Sequence, residues 1–311
     1  MMRFRWLGVG GVELSVDDQT LAIDPYFTRI PLWRMAFGRV RPDRALIANQ
    51  IPRCDFVLVT HAHVDHLMDV PDVVRNTGAV ALGSPNTCRL LEASGVPAQQ
   101  VREIVAGDRL TLGRFRVEVL PADHVAVAGW QPLQYKGKRS GSFQYKGKRS
   151  GSFSGPLPPD PRPPLRARDY LMDCCFGFLV EIEGQRLLHC PGQAVSAEVL
   201  TIKPVWTRSH YESLLRGARP RIVIPVHWDD FTRPLSKPVR PMVAPFNMKR
   251  RPTAPTADSR GRSGAALSGQ LIAPLKRIDL AQFEHMVKQI APETRVLIPE
   301  VSRIYDLSEF R

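Results

Sequence analysis

Apolar positions along this chain fall into two registers, period-two or continuous short runs that predict strands, and three-to-four spacing that predicts helices. Arg3–Leu7 leads through Gly8, Gly10 and Gly11 into Val12–Val16; Asp17-Asp18 makes a turn, and Leu21–Ile23 continues into Asp24-Pro25. Phe56–Thr60 is a short, β-rich run of the fully buried type. Val70–Thr77 and Asn86–Ser94 read as helices, with Ala79–Leu82 as a strand between them. Arg114–Leu120 sets Phe115, Val117 and Val119 against Arg116 and Glu118, the pattern of a half-buried strand. Gly177–Ile182 and Arg186–Cys190 flank Glu183-Gly184 as a hairpin. Tyr211–Arg216 is helical, Arg221–Val226 is an apolar strand, and helix Leu280–Ile290 with strand Arg295–Ile298 closes the pattern.

Two strand-rich runs, each followed by helices, predict a layered α/β fold with its chemistry at strand ends. A chain of 311 residues can bury a sizeable core, and 43% hydrophobic with 8% aromatic content suits a globular enzyme. No apolar run approaches the roughly 18 residues of a membrane span. Glu13 interrupts the first apolar stretch, so the N-terminus reads as a strand and not as a secretory signal. Five cysteines, odd in number and with Cys174-Cys175 adjacent, do not form a disulfide framework, which points to a reducing, cytoplasmic compartment.

The net charge of +13 invites a nucleic-acid reading, but its distribution weakens that. Nine Lys/Arg against two Asp/Glu fall between Gln131 and Tyr170, and eight against one between Thr232 and Gly264, so the rest of the chain is near neutral. The expected organisation is therefore a single domain over 1–311 with flexible, basic, Pro-rich insertions at 131–170 and 232–264. Within the first, Gln134–Phe143 (QYKGKRSGSF) is repeated without change as Gln144–Phe153, which is too short for a solenoid unit. It reads as a duplication in a tolerant loop or as a basic-aromatic binding arm. Pro156–Pro164 follows and reads as a stretch that does not pack as core.

Directly after Phe56-Val57-Leu58-Val59 comes Thr60-His61-Ala62-His63-Val64-Asp65-His66. Buried imidazoles and carboxylates lose solvation and need strong partners, and a divalent cation is the obvious one. In a tight loop, His61 and His63 would face one ion and Asp65 and His66 another. Neutral imidazole and carboxylate suit zinc first, and also manganese or iron(II). His124 and His227 sit at the ends of two further predicted strands, so three converging strand ends would supply six ligands. His210 and His285 read as ordinary boundary residues, and His189 as a core histidine or, less simply, a ligand. Cys54, Cys88, Cys174 and Cys175 read as small buried hydrophobes, with Cys190 open to a ligand role.

The motif, the downstream histidines and their order resemble the metallo-β-lactamase superfamily over most of the chain outside the two insertions. That resemblance implies a four-layer αββα sandwich with one or two divalent metal ions at one edge. The opening glycines with Asp24-Pro25 resemble the branch of ascorbate-phosphate lactonases and N-acyl-phosphatidylethanolamine phospholipase D-like hydrolases. By resemblance, His61, His63 and His124 would bind the first metal and Asp65, His66 and His227 the second, with Asp65 also orienting the nucleophile and Asp24 orienting a ligand. The implied activity is hydrolysis of an ester, lactone or phosphodiester in a small anionic substrate, by a water whose pKa a divalent cation lowers from about 15.7 towards about 7. A nuclease of the same fold and a non-hydrolytic metal-binding sensor are the alternatives.

One departure matters. The family places a bridging aspartate in a turn where this chain reads Leu188-His189-Cys190-Pro191-Gly192-Gln193, without a carboxylate. Gln193 or Gly192 fills the position, and His189, Cys190, Asp229 or Asp230 are candidate substitutes. Two divalent ions held with Asp65 alone would repel strongly, so a tight and a labile metal are expected, the second completed by an anion. Both basic segments begin soon after His124 and His227, at the rim of the expected site. If they steer an anionic substrate, rising salt raises KM in steady-state assays, and a flat response makes them solvated extensions.

Overall fold

The computed structural model describes residues 2–122, 124, 154–205, 207–245 and 275–307. The repeated decamer at 134–153 lies outside them, as does the second expected insertion from 246 onward.

The chain opens with β1 (Arg3–Gly8), β2 (Gly11–Val16) and β3 (Gln19–Ile23), an antiparallel meander. Helices α1 (Leu32–Phe37) and α2 (Arg44–Gln50) precede β4 (Phe56–Leu58), and the short α3 (Val64–Leu67) and α4 (Val70–Thr77) lead to β5 (Val80–Gly83). Then come α5 (Pro85–Ala93), β6 (Val101–Glu103), β7 (Arg109–Leu112) and β8 (Phe115–Pro121). The second half runs β9 (Phe176–Ile182), β10 (Gln185–His189), β11 (Val199–Ile202), α6 (Arg208–Ala218) and β12 (Ile222–Pro225). It ends with β13 (Val243–Pro245), β14 (Leu275–Arg277), α7 (Leu280–Ile290), β15 (Arg295–Val296) and β16 (Ile304–Asp306).

These strands form two seven-stranded sheets, ordered β16-β1-β2-β3-β4-β5-β6 and β15-β12-β11-β10-β9-β8-β7. Each is antiparallel in one half and parallel in the other, with helices in the crossovers between parallel neighbours except β10 and β11, which residues 190–198 join without a helix. Alternation along the strands sorts their side chains. Val12, Leu14, Leu21, Ile23 and Leu58 of one sheet meet Phe115, Val117, Phe178, Val180 and Ile222 of the other in a central core. On the far face of the first sheet, Ala22, Val57 and Ala81 pack against Val73, Val74, Leu90 and Leu91 of α4 and α5. On the far face of the second, Leu188, Leu200 and Val223 pack against Tyr211, Leu214, Leu215, Phe283 and Val287 of α6 and α7. Period-two alternation between two cores makes the layers αββα.

Helices α4 and α7 fall where the spacing predicts them, and Glu183 and Gly184 close the β9–β10 hairpin with positive φ at both. The short β11 and the helices α1 and α2 are missed by the pattern. β11 is four buried residues, Val199–Ile202, too brief for a period to declare itself.

Residues 154–170 correct the expectation for the first insertion. Leu157, Leu165, Ala167 and Tyr170 are buried in the core outside the first sheet. Prolines have no N–H to satisfy, so a Pro-rich stretch packs once its carbonyls find donors. Arg89 donates to the carbonyls of Pro158 and Pro159, Arg39 to Pro164, Asn86 to Gly155, and the Val40 N–H to Leu165.

One buried ion pair joins the far ends of the chain. Arg29 Nη2 and Asp229 Oδ2 stand 2.8 Å apart, almost wholly buried. Their angle is not that of a hydrogen bond, so the attraction is chiefly Coulombic. Asp229 Oδ1 accepts the Val9 N–H at 2.9 Å, and Arg29 Nη1 donates to the Asp230 carbonyl. Gly8 is required beneath this pair, since its φ is +91° and an added Cβ would lie 2.0 Å from Arg29 Nη2. Asp229→Ala leaves a buried guanidinium unpaired and lowers unfolding stability by about 3–5 kcal/mol, measurable as a shift in urea midpoint.

Candidate metal centre

The site lies where strands of both sheets end. β3 delivers Asp24, β4 delivers Thr60–His66, β8 leads to His124, β10 to His189 and Cys190, β11 to Lys203, and β12 to His227. Beyond β4, His63 is extended (ψ 156°) and stands at the N-terminus of the single turn of α3. Residues two apart in extended chain face the same way, and the helical turn redirects the next side chains. His61 and His63 therefore diverge from Asp65 and His66.

Two groups of ligand atoms result. His61, His63 and His124 form one, and Asp65, His66 and His227 the other; within each group the atoms lie within 4.8 Å of one another. In the second group, Asp65 Oδ2 is 3.2 Å from His227 Nε2 and 3.6 Å from His66 Nε2, and the two Nε2 atoms are 3.3 Å apart. Ligands about 2.0–2.1 Å from a tetrahedral ion stand about 3.3 Å apart, so the spacing fits one cation. The groups adjoin, with the His61 and His66 ring centroids 4.0 Å apart. His61 Nε2 is buried without a hydrogen-bond partner, as an imidazole awaiting a metal would be. The donors present therefore fit one or two divalent ions.

Their protonation suits that role. Burial first, then the surrounding imidazoles His66, His63 and His124, hold His61 well below its ordinary value. Burial and the neighbouring His63 do the same to His124. Burial, then the charge of Lys203, pushes His227 down to about 4. Burial alone would raise the Asp65 carboxyl, but His66 and His227 hold it well below the carboxylate range. Neutral imidazoles and an ionised carboxylate keep lone pairs free for a cation.

Asp24 organises the cluster. Its Oδ1 accepts the Thr60 N–H at 2.7 Å, and its Oδ2 accepts from the Thr60 hydroxyl and meets His66 Nδ1 at 2.6 Å. That leaves His66 Nε2 for the second group, the orienting role expected of Asp24. Gly10 closes over the same ring, where an added Cβ would sit 3.0 Å from His66 Cε1. The His227 N–H donates to Val9 O, and Trp228 stacks on Trp6 at 5.2 Å. Val9, Asp24, Cys190 and His227 all take positive φ (51°, 47°, 42°, 58°), so backbone strain concentrates around the site.

Several sequence expectations change here. Asp229 and Asp230 do not replace the missing carboxylate. Asp229 is committed to Val9 and Arg29, and Asp230 to Thr232 and Arg240. Gln193 is exposed, because the chain turns at Cys190-Pro191 and the Gly192 N–H is held by Pro121 O. Cys190 is half-buried beside the groups but belongs to neither. Cys54, Cys88 and Cys174 are buried, whereas Cys175 is half-buried with Sγ 3.9 Å from His61 Nδ1. His189 is buried but only half satisfied, with Nδ1 2.8 Å from Thr201 Oγ1 and Nε2 without a partner. Sequence reasoning overlooked Lys203; the one signal was an isolated cation at the end of the unrecognised β11.

Residues 19–149 match the beta-lactamase superfamily domain. A UPF0173 metal-dependent hydrolase of Carboxydothermus hydrogenoformans is 27% identical over 140 residues, 45% of this chain and 55% of that protein. The chain thus spans about half the length of that curated relative. Among solved structures, Igni18, a metallo hydrolase of Ignicoccus hospitalis, aligns over 98% of both chains with TM-score 0.52 and 14% identity. Isothiocyanate hydrolase from Delia radicum gut bacteria aligns over 98% of this chain and 99% of its own with TM-score 0.54 and 10% identity.

Asp24→Asn, which keeps size but removes the charge facing His66, should weaken zinc affinity about 10–100-fold in a competitive chelator titration.

Proposed function

We propose that this chain is a metal-dependent hydrolase of the metallo-β-lactamase superfamily. The observation that carries the reading is the adjoining pair of three-residue groups, one of three imidazoles and one of two imidazoles and a carboxylate, at spacings that suit a cation. His61, His63 and His124 would hold one ion, and Asp65, His66 and His227 a second. Zinc suits this mixture of imidazole and carboxylate, and manganese and iron(II) are the competing metals. A divalent cation bound there supplies Lewis acidity and makes water acidic enough to act near neutral pH.

The chain's own residues do the rest. Asp65, ionised and set against His66 and His227, provides an acceptor at Oδ2 for a proton of the attacking water. Asp24 and Thr60 keep His66 in one tautomer and orientation. Burial keeps the imidazoles of His61, His124 and His227 unprotonated. The bond cleaved is an ester, lactone or phosphodiester in a small anionic substrate. The near-neutral body of the chain favours this over nucleic acid, since the basic excess lies in the two segments largely outside the described residues. Among the described residues, no helix is long and apolar enough to cross a membrane.

A panel of lactones, phosphodiesters and single-stranded RNA, assayed with zinc and with manganese, tests the substrate class. Removing metal with a chelator should abolish turnover and re-adding it should restore it. His61→Ala and His63→Ala should each lower kcat/KM by about a thousandfold or more, and a variant that keeps most of its turnover refutes the site.

A further inference from the structure

Beside the His66 ring lies a cavity of about 20 Å³, room for about one water-sized group, whose walls do not include Asp65 or His227. Its walls include His61, His66, His189, Cys190 and Lys203. We propose that this cavity is an oxyanion-binding subsite, in which His189 and Lys203 receive one charged oxygen of a carboxylate or phosphate and make the substrate's anionic group part of the metal centre. The proposal rests on the metal-centre reading above and names the part of the substrate that reading leaves open.

Three independent observations support it. First, His189 is fully buried, and its Nε2 has no partner. Its Nδ1 lies 2.8 Å from Thr201 Oγ1, whose alternative acceptor, Leu188 O, is 3.5 Å away. The hydroxyl proton is better placed on Nδ1, which leaves the imidazole proton on Nε2, a donor facing the cavity. A buried donor left unpaired costs about 1–3 kcal/mol, and an anion removes that cost.

Second, Lys203 is half-buried at the end of β11, and among the described residues its ammonium has no hydrogen-bond or ion-pair partner. It lines the same cavity as His61, His66 and His189. A cation beside a cluster meant for cations is unfavourable unless a negative charge joins them.

Third, the protein does not supply that charge itself. Asp24 also borders the cavity, but its oxygens are engaged by Thr60 and His66. Burial pushes the Cys190 thiol up to about 12, so it stays neutral. Residues 190–193 contain no carboxylate. The chain thus offers a void of one oxygen's size, a donor and a cation, while the bordering Asp24 carboxylate is already engaged.

Calorimetric titration of inorganic phosphate, and separately of acetate, into the full chain tests this, with cobalt(II)-loaded and chelator-stripped protein run in parallel. In the loaded protein, phosphate or acetate should bind one per chain and change the cobalt d–d absorption; the tighter of the two identifies the substrate group. Lys203→Met should weaken binding at least tenfold, with cobalt content and the anion-free spectrum unchanged. Lys203→Arg, which keeps the charge, should stay within about threefold of wild type. His189→Leu should also weaken binding. Equal affinity in wild type and Lys203→Met, or no binding of either anion by wild type, overturns the subsite and leaves the cavity to a water. If the protein takes up no cobalt, the metal-centre reading fails, and the stripped-protein titration still decides the subsite by the same comparison.

Discussion

Everything around the site depends on one buried carboxylate and the groups it holds. Asp24 ends β3, its positive φ turns its side chain under the next loop, and it takes hydrogen bonds from Thr60 while facing His66 Nδ1. Without that contact, the His66 ring would be free to rotate and the second group would lose its geometry. The same residue joins sheet to loop, since the Asp24 N–H donates to Leu58 O on β4. The Phe176 N–H then donates to Thr60 O, tying the second sheet to the same loop. Small displacements here would be felt in both groups, because they share adjoining rings.

A second anchor fixes the distant histidine. His227 comes from the far end of the chain and reaches Asp65 only because its loop is fastened to the β1–β2 turn through Val9, Asp229 and Arg29. A buried ion pair is a poor source of net stability but a strong source of register, because any other arrangement leaves a charge unpaired. Here it holds His227 in place across two hundred residues of sequence.

The charge balance around the groups then bears on what the centre can bind. Asp65 and Asp24 are the carboxylates in contact with the ligands, and Lys203 adds a positive charge where a negative one would be expected. A centre built this way holds two cations poorly unless an anion joins them. This view connects the absent bridging carboxylate, the orphaned His189 Nε2 and the unpaired Lys203 as consequences of one design, with substrate charge completing the site.

Much of this was readable in the residues alone. Dense alternation and helical spacing declared α4, α7 and the β9–β10 hairpin, because their periods run long enough to be distinguished. Crowding of His61, His63, Asp65 and His66 after an apolar run declared a metal site, because such groups are too costly to bury unpartnered. The folding of 154–170 against the core was not readable, since proline content speaks only to the missing donors and not to which carbonyls Arg39, Asn86 and Arg89 would reach. Nor were the commitment of Asp229 to Arg29, the outward turn of Gln193, or the placing of Lys203 beside His189. By itself the sequence determined which residues are able to bind a cation, because that depends on side-chain chemistry and local spacing. Only the tertiary structure decided which charges meet, because that depends on strands distant in sequence ending at one edge.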